Sequence, residues 1–259
     1  MAASGNPVCR GFTLIELLIV ITIVGLLAGL MVPAIARALD VADEVACASN
    51  LRQIGLATGL YLKDNGGRFF PLKTGEPGGT LWYYGFEAFS SVRSGEGNRQ
   101  LDRTRGKLYP YLQSTEGVEV CPSFDYSGAY KPKYEGKWWT YGINLELLPG
   151  SAAGGDIGAV RPRDAARTVV FADSAQVNTF QAPASPTHPL VEEWFYIQPS
   201  MRYVQFRHGG RANVLMADWH VELCEPVAGS LDPRLPHARI GYLDTKLVLH
   251  RPRAGTAVD

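Results

Sequence analysis

Residues 14–32, LIELLIVITIVGLLAGLMV, are apolar except for Glu16, Thr22 and the glycines Gly25 and Gly29. No other stretch constrains the fold so tightly. At about 1.5 Å per residue such a helix crosses a hydrocarbon layer about 30 Å thick, which sets a membrane span over 14–33. A secretory signal has a shorter apolar region, followed by a small-residue cleavage site. Here the basic and small pair Arg10-Gly11 precedes the run. Cleavage there makes residues 1–11 a leader and leaves the apolar segment on the mature chain. Arg10 comes before the span, and Asp40, Asp43 and Glu44 come after it. Positive charge on the near side predicts a cytoplasmic N-terminus, with the bulk of the chain outside.

Glu16 is the anomaly in this run. It lies one turn inside, where an ionised carboxylate costs on the order of 2.5–3.5 kcal/mol even on lenient insertion scales. Two readings are open. The carboxylate snorkels to the headgroups, or it has a partner. Cleavage between Gly11 and Phe12 gives Phe12 an α-amino group. That amine on a neighbouring subunit neutralises Glu16 in lipid and fixes the stagger of identical helices.

From Arg10 to about Pro33, Gly-Phe-Thr-Leu-Ile-Glu followed by a long apolar helix resembles the N-terminal signal of type IV pilins and type II secretion pseudopilins. The resemblance implies that a prepilin peptidase cuts after Gly11 and methylates the amine of Phe12. It also implies that Glu16 guides assembly with other pilin or pseudopilin subunits on an inner-membrane platform. Pro33 falls where this family often carries a helix-kinking proline. The implied location is the bacterial inner membrane, single-pass, with a periplasmic or extracellular head.

Beyond Pro33 a helical pattern resumes, with Val41, Val45, Ala48, Leu51, Ile54, Thr58 and Tyr61 at three- and four-residue steps. Asp64-Asn65-Gly66-Gly67 stops it. Residues 12–65 therefore read as one spine, greasy all round in its first half and amphipathic in its second. Two small-xxx-small pairs lie on it. Gly25 and Gly29 either let helices approach in lipid or mark local unwinding. Gly55 and Gly59 make room for side chains of the head. Residues 66–259 read as a loop-rich α+β extracytoplasmic head packed on the spine, a pilin-like architecture.

Within that head, a short helix is expected around 81–89, a packed segment at 108–112 and a strand at 118–121 ended by Pro122. Residues 138–141, WWTY, are a strand-forming aromatic cluster, read as core in preference to a sugar-stacking platform. Residues 151–158 read as a loop, 168–172 as a buried strand and the proline-rich 175–200 as an irregular excursion. A three-strand β-meander is expected over 203–225. A three-residue loop would set Val204 opposite Met216, and a two-residue turn at Asp218-Trp219 would set Met216 opposite Val221.

His208, nine residues, then Asp218 is similar to the C-terminal signature of a large group of bacterial prepilin-type proteins named for His, nine residues, Asp-Gly. Asn50-Leu51-Arg52-Gln53-Ile54-Gly55-Leu56-Ala57 and Cys121-Pro122-Ser123 resemble motifs of the same group. The final glycine is Trp219 here, which is unfavourable where a turn needs φ > 0. The resemblance implies an architecture and no activity.

Little of the chain points to chemistry. The meander register separates His208 from Asp218 and His220 by about 17–20 Å, so structural roles are expected for all three. Cys9 leaves with the leader, and Cys47, Cys121 and Cys224 remain. The favoured disulfide is Cys47–Cys121, with buried free thiols weighted equally. The spacings match no zinc pattern, and no metal ligand or cofactor is assigned. Aspartate-bearing loops such as those of Asp173 and Asp218 suit calcium, which some pseudopilin heads bind, but no EF-type spacing exists. No catalytic motif occurs. Lys+Arg and Asp+Glu number 25 each, so no basic field advertises nucleic acid. The expectation is a non-enzymatic filament subunit, and a minor one because a large head packs poorly into a dense homopolymer. The alternative is a membrane-anchored module that binds a polysaccharide or a secreted protein.

Overall fold

A computed structural model of the chain describes residues 12–112, 117–149 and 162–248. The leader with Gly11, and the loop expected at 151–158, lie outside the described residues. The architecture is α+β: helix α1 (Leu14–Asp64) is followed by a head built on β-sheets. The helix runs through Pro33 without ending. It stops where the glycines allow a left-handed backbone. Gly66 and Gly67 have φ of 64° and 79°, and the Gly67 N–H closes back on the Leu62 carbonyl at 2.7 Å.

The chain divides into two compact units, Met1–Ala42 and Asp43–Asp259. In the first, every described residue from 12 to 42 is exposed. An apolar helix bare on all sides is stable in lipid and not in water.

In the second unit, α1 buries Cys47, Leu51, Ile54, Ala57, Thr58 and Leu62. Their three- and four-residue spacing makes one stripe. Opposite it stands a five-stranded sheet in the order β11 (Val221–Cys224), β10 (Ala212–Met216), β5 (Val169–Asp173), β4 (Tyr141–Asn144), β8 (Tyr196–Ile197). All its pairs are antiparallel except β4 with β8. A second sheet joins β1 (Lys73–Glu76), β2 (Gly79–Trp82) and β3 (Gly85–Ala88). Two ribbons pair β6 (Ala175–Asn178) with β7 (Leu190–Glu193), and β9 (Val204–Gln205) with β12 (Ile240–Gly241).

The central sheet is covered on both faces. Phe171 and Leu215 pack with Leu51, Ile54, Tyr83, Trp138 and Trp139. Ala172, Val214 and Met216 pack with Val204 and Phe206 in a second cluster. Trp138 and Trp139 are buried at 1% and 4% exposure, so the WWTY cluster is core. The strand expected at 168–172 is β5, buried along its whole length.

Several local expectations need correction. The meander over 203–225 does not form: β9 pairs with β12, and β10 lies between β11 and β5. The two loops exchange the lengths expected of them. His208 and Arg211 bridge each other across Gly209-Gly210, whose φ of 60° and 90° suit a two-residue turn. Beyond it the strands splay, and the Phe206 N–H goes to the Arg239 carbonyl. Between β10 and β11 the loop has three residues, closed by Met216 N–H on the His220 carbonyl. The ladder therefore pairs Leu215 with Val221, and Val221 joins the helix-side core. Residues 81–89 are mainly the β2–β3 hairpin in place of a helix, residues 118–120 are turn and bend with Cys121 in no strand, and 175–200 holds β6, β7 and β8.

Candidate functional site

The described chain begins at Phe12, next to the cleavage site expected from the sequence. Phe12 is 73% exposed. Thr13 N–H donates to Glu16 Oε2 at 2.8 Å, the Thr13 hydroxyl donates to the same oxygen at 2.9 Å, and Glu16 N–H donates to Thr13 Oγ1 at 3.2 Å. This is a capping box, in which Thr13 and Glu16 satisfy backbone donors that the first helical turn leaves free. Within a single chain the carboxylate already has a partner, a third arrangement besides snorkelling and intersubunit pairing. The signal was present as Thr-x-x-Glu opening an apolar run.

Spine and head meet at the second pair of glycines. A Cβ on Gly55 would lie 3.1 Å from both methyls of Leu215, and one on Gly59 would lie 3.5 Å from the indole of Trp219. Trp219 itself holds φ at 71°, a left-handed conformation that costs a residue with a side chain about 1–2 kcal/mol. Packing of its ring on the spine offsets that strain, which accounts for tryptophan at a turn position suited to glycine.

Under the spine lies a buried polar cluster. Cys47 comes from α1, Cys121 from the turn before Pro122, Asp173 from the end of β5, and His208 from the turn after β9. Cys47 Sγ–H donates to Asp173 Oδ1 at 3.2 Å. His208 Nε2 stands 3.1 Å from Asp173 Oδ2 and 3.5 Å from Cys121 Sγ. Asn213 N–H donates to Asp173 Oδ2 at 2.8 Å. Arg207 Nε lies 3.6 Å from Asp173 Oδ1, while its Nη2 donates to the carbonyls of Thr140 and Ser174 at 3.2 and 2.9 Å.

The electrostatics follow from this geometry. Burial alone would raise Asp173, but the Arg207 guanidinium and His208 hold it below the ordinary carboxylate range. Burial alone would lower His208, but its hydrogen bonds to Asp173 and Cys121 carry it up to about 9. Burial pushes the Cys47 thiol well up. For Cys121 burial is outweighed by the hydrogen bond from Cys47, helped by Arg207 and His208, and it falls to about 6. The cluster is a place where negative charge on sulfur is tolerated.

The structure brings Cys47 and Cys121 together as free thiols. It brings His208 to Asp173, and not to Asp218. Asp218 Oδ1 pairs with His220 Nδ1 at 2.5 Å on the exposed turn. There burial would raise Asp218, but the bond to His220 lowers it. Asp173 is enclosed by protein donors, unlike the open loop expected of a calcium ligand. The joint placement of Cys47, Cys121, Asp173 and His208 was missed because no two of them are close in sequence. Cys121-Pro122-Ser123 and His208 did stand out singly, and Asp173 only as a loop aspartate suited to calcium, with nothing to join it to the others.

A second buried carboxylate, Glu193, accepts from Tyr126 at 2.6 Å, Tyr130 at 2.9 Å and the Trp138 N–H at 3.1 Å. Burial outweighs these donors and raises it to about 7.

Residues 6–32 match the family model described as the prokaryotic N-terminal methylation motif. No curated protein and no solved structure matches the chain. The matched residues include the expected cleavage position, the Thr13–Glu16 box and the whole apolar run 14–32. The motif implies processing by a prepilin peptidase and assembly with other pilin subunits, and with the apolar helix it fits membrane anchoring. The match supports a type IV pilin-like protein.

Proposed function

We propose that this chain is a non-enzymatic subunit of a type II secretion or type IV pilus-like filament, and a minor one. A prepilin peptidase cleaves after Gly11 and methylates Phe12. The chain crosses the inner membrane once, with Arg10 on the cytoplasmic side and the head in the periplasm or outside. Extraction into the filament exchanges the partner of Glu16: the Thr13 hydroxyl and amide of its own chain give way to the Phe12 amine of the next subunit.

The observation that carries this reading is a lone carboxylate in the apolar segment 14–32 of α1, one turn from the N-terminus that cleavage would create. A capping box is worth about 1 kcal/mol, less than an ion pair in lipid returns when the alternative is an isolated charge. The exchange therefore runs towards assembly. The rival reading, a tethered binding module, loses its aromatic platform because Trp138 and Trp139 are core.

Two variants test it. Glu16→Gln keeps a side chain able to complete the capping box and removes the charge; Glu16→Ala removes both. Both should insert into the membrane and be cleaved, and neither should enter filaments pulled down with other pilin subunits. Normal incorporation of Glu16→Gln would overturn the exchange.

A further inference from the structure

We propose that Cys47, Cys121, Asp173 and His208 form a closed, four-ligand site for a thiophilic divalent metal ion of the zinc class, which pins the spine to the head. Their ligand atoms all lie within 4.8 Å of one another, and the side chains are buried to 3% exposure or less. Metal–sulfur bonds of about 2.3 Å and metal–nitrogen or –oxygen bonds of about 2.0–2.2 Å place neighbouring donors of a tetrahedron about 3.3–3.8 Å apart. The separations of 3.2 Å from Cys47 to Asp173, 3.5 Å from Cys121 to His208 and 3.1 Å from His208 to Asp173 are close to those edges.

Donor type sets the class of ion. Two sulfurs and an imidazole favour zinc or a similar soft ion and reject calcium and magnesium, which take oxygen. Burial of all four donors leaves no open position for substrate, so the role is structural.

The surroundings complete a metal site. Ser123 Oγ faces the other ring nitrogen of His208 at 3.5 Å, Asn213 N–H holds Asp173, and the Tyr141 hydroxyl reaches Cys47 Sγ at 3.5 Å. Such outer partners orient ligands. Charge also closes. The ion displaces the protons held on Cys47, Cys121 and His208, which leave for solvent, so the dication, two thiolates, a neutral imidazole and the Asp173 carboxylate sum to minus one. The buried Arg207 guanidinium beside them restores neutrality. A Cys47–Cys121 disulfide uses the same sulfurs, excludes the ion and leaves His208 without a ligand role.

The test uses the full chain, extracted in mild detergent without chelator or oxidant. Elemental analysis should find one zinc per chain. Cys47→Ser and His208→Ala should each retain less than about a tenth of it, and Cys224→Ser all of it. Because the first two variants can fail to fold, wild-type protein is also stripped with chelator and titrated with cobalt(II). The expected result is a thiolate-to-cobalt charge-transfer band with the strong visible bands of a tetrahedral site, saturating at one equivalent and bleached by zinc. A zinc-free protein with no cobalt spectrum, or Cys47 and Cys121 recovered as a disulfide in a non-reducing peptide map, overturns the proposal. Equal zinc loss in Cys224→Ser does the same. These readouts do not depend on filament assembly.

Discussion

Gly55 and Gly59 should respond in opposite ways to the same substitution. In a helix interior, Gly→Ala gains about 1 kcal/mol from backbone propensity. At Gly59 the new methyl sits 3.5–3.8 Å from the Trp219 ring, which is ordinary contact, so Gly59→Ala should stabilise by about 0.5–1 kcal/mol. At Gly55 it meets two methyls of Leu215 at 3.1 Å and the Trp219 ring at 3.3 Å. Leu215 is fully buried on β10 and has little room to retreat. Overpacking a filled core costs about 1–3 kcal/mol. Gly55→Ala should therefore be neutral to about 2 kcal/mol destabilising. The assay is urea unfolding of the detergent-extracted protein, followed by tryptophan fluorescence, with the midpoints compared at equal slope. Adding Leu215→Val should recover part of the loss at Gly55 and none of the gain at Gly59. If Gly55→Ala equals or exceeds Gly59→Ala in stability, the close approach of α1 to β10 is wrong.

Two further predictions concern the head. Lys131 is fully buried, with Nζ 2.6 Å from Glu96 and 3.4 Å from the buried Glu192. Lys131→Met strands that carboxylate and should cost about 3–5 kcal/mol, most of it recovered by adding Glu192→Gln; no recovery would show that the ion pair is not the cause. Glu193 is raised from 4.5 to about 7, so between those pH values the native state holds a proton that the unfolded chain has released. Stability therefore falls as pH rises through that window, by about 3 kcal/mol in all, and is flat with respect to this group above it. Glu193→Gln should remove that slope, and parallel wild-type and variant profiles in chemical denaturation would refute it.

The parts of the fold that could be read from the chain alone are those set by local chemistry. The apolar run, the helix stop at Gly66-Gly67 and the buried strand at 169–173 depend on residues adjacent in sequence. The course of β9 does not. Two residues, Val204 and Gln205, carry no pairing preference of their own, and their partner lies at Ile240–Gly241. The β10–β11 register turned on the loop backbone: of Asp218 and Trp219 only Trp219 has φ > 0, which suits a three-residue loop ending in a left-handed residue and not a two-residue turn that needs both. Glu16 was legible as anomalous, but its capping partner was overlooked beside the stronger membrane signal. The sulfur-rich cluster was hidden for a different reason. Its ligands lie on four segments between positions 47 and 208, and only the packing of the spine on the sheet makes them neighbours.

The central claim is that the leader is removed to create an amine at Phe12, the group that Glu16 of another subunit then meets in the membrane. Mass spectrometry of the intact protein extracted from its native membrane tests it most directly. The account predicts a chain that starts at Phe12 and carries one added methyl group on its N-terminal nitrogen. A chain that still begins at Met1, or one cut at any other bond, would contradict it.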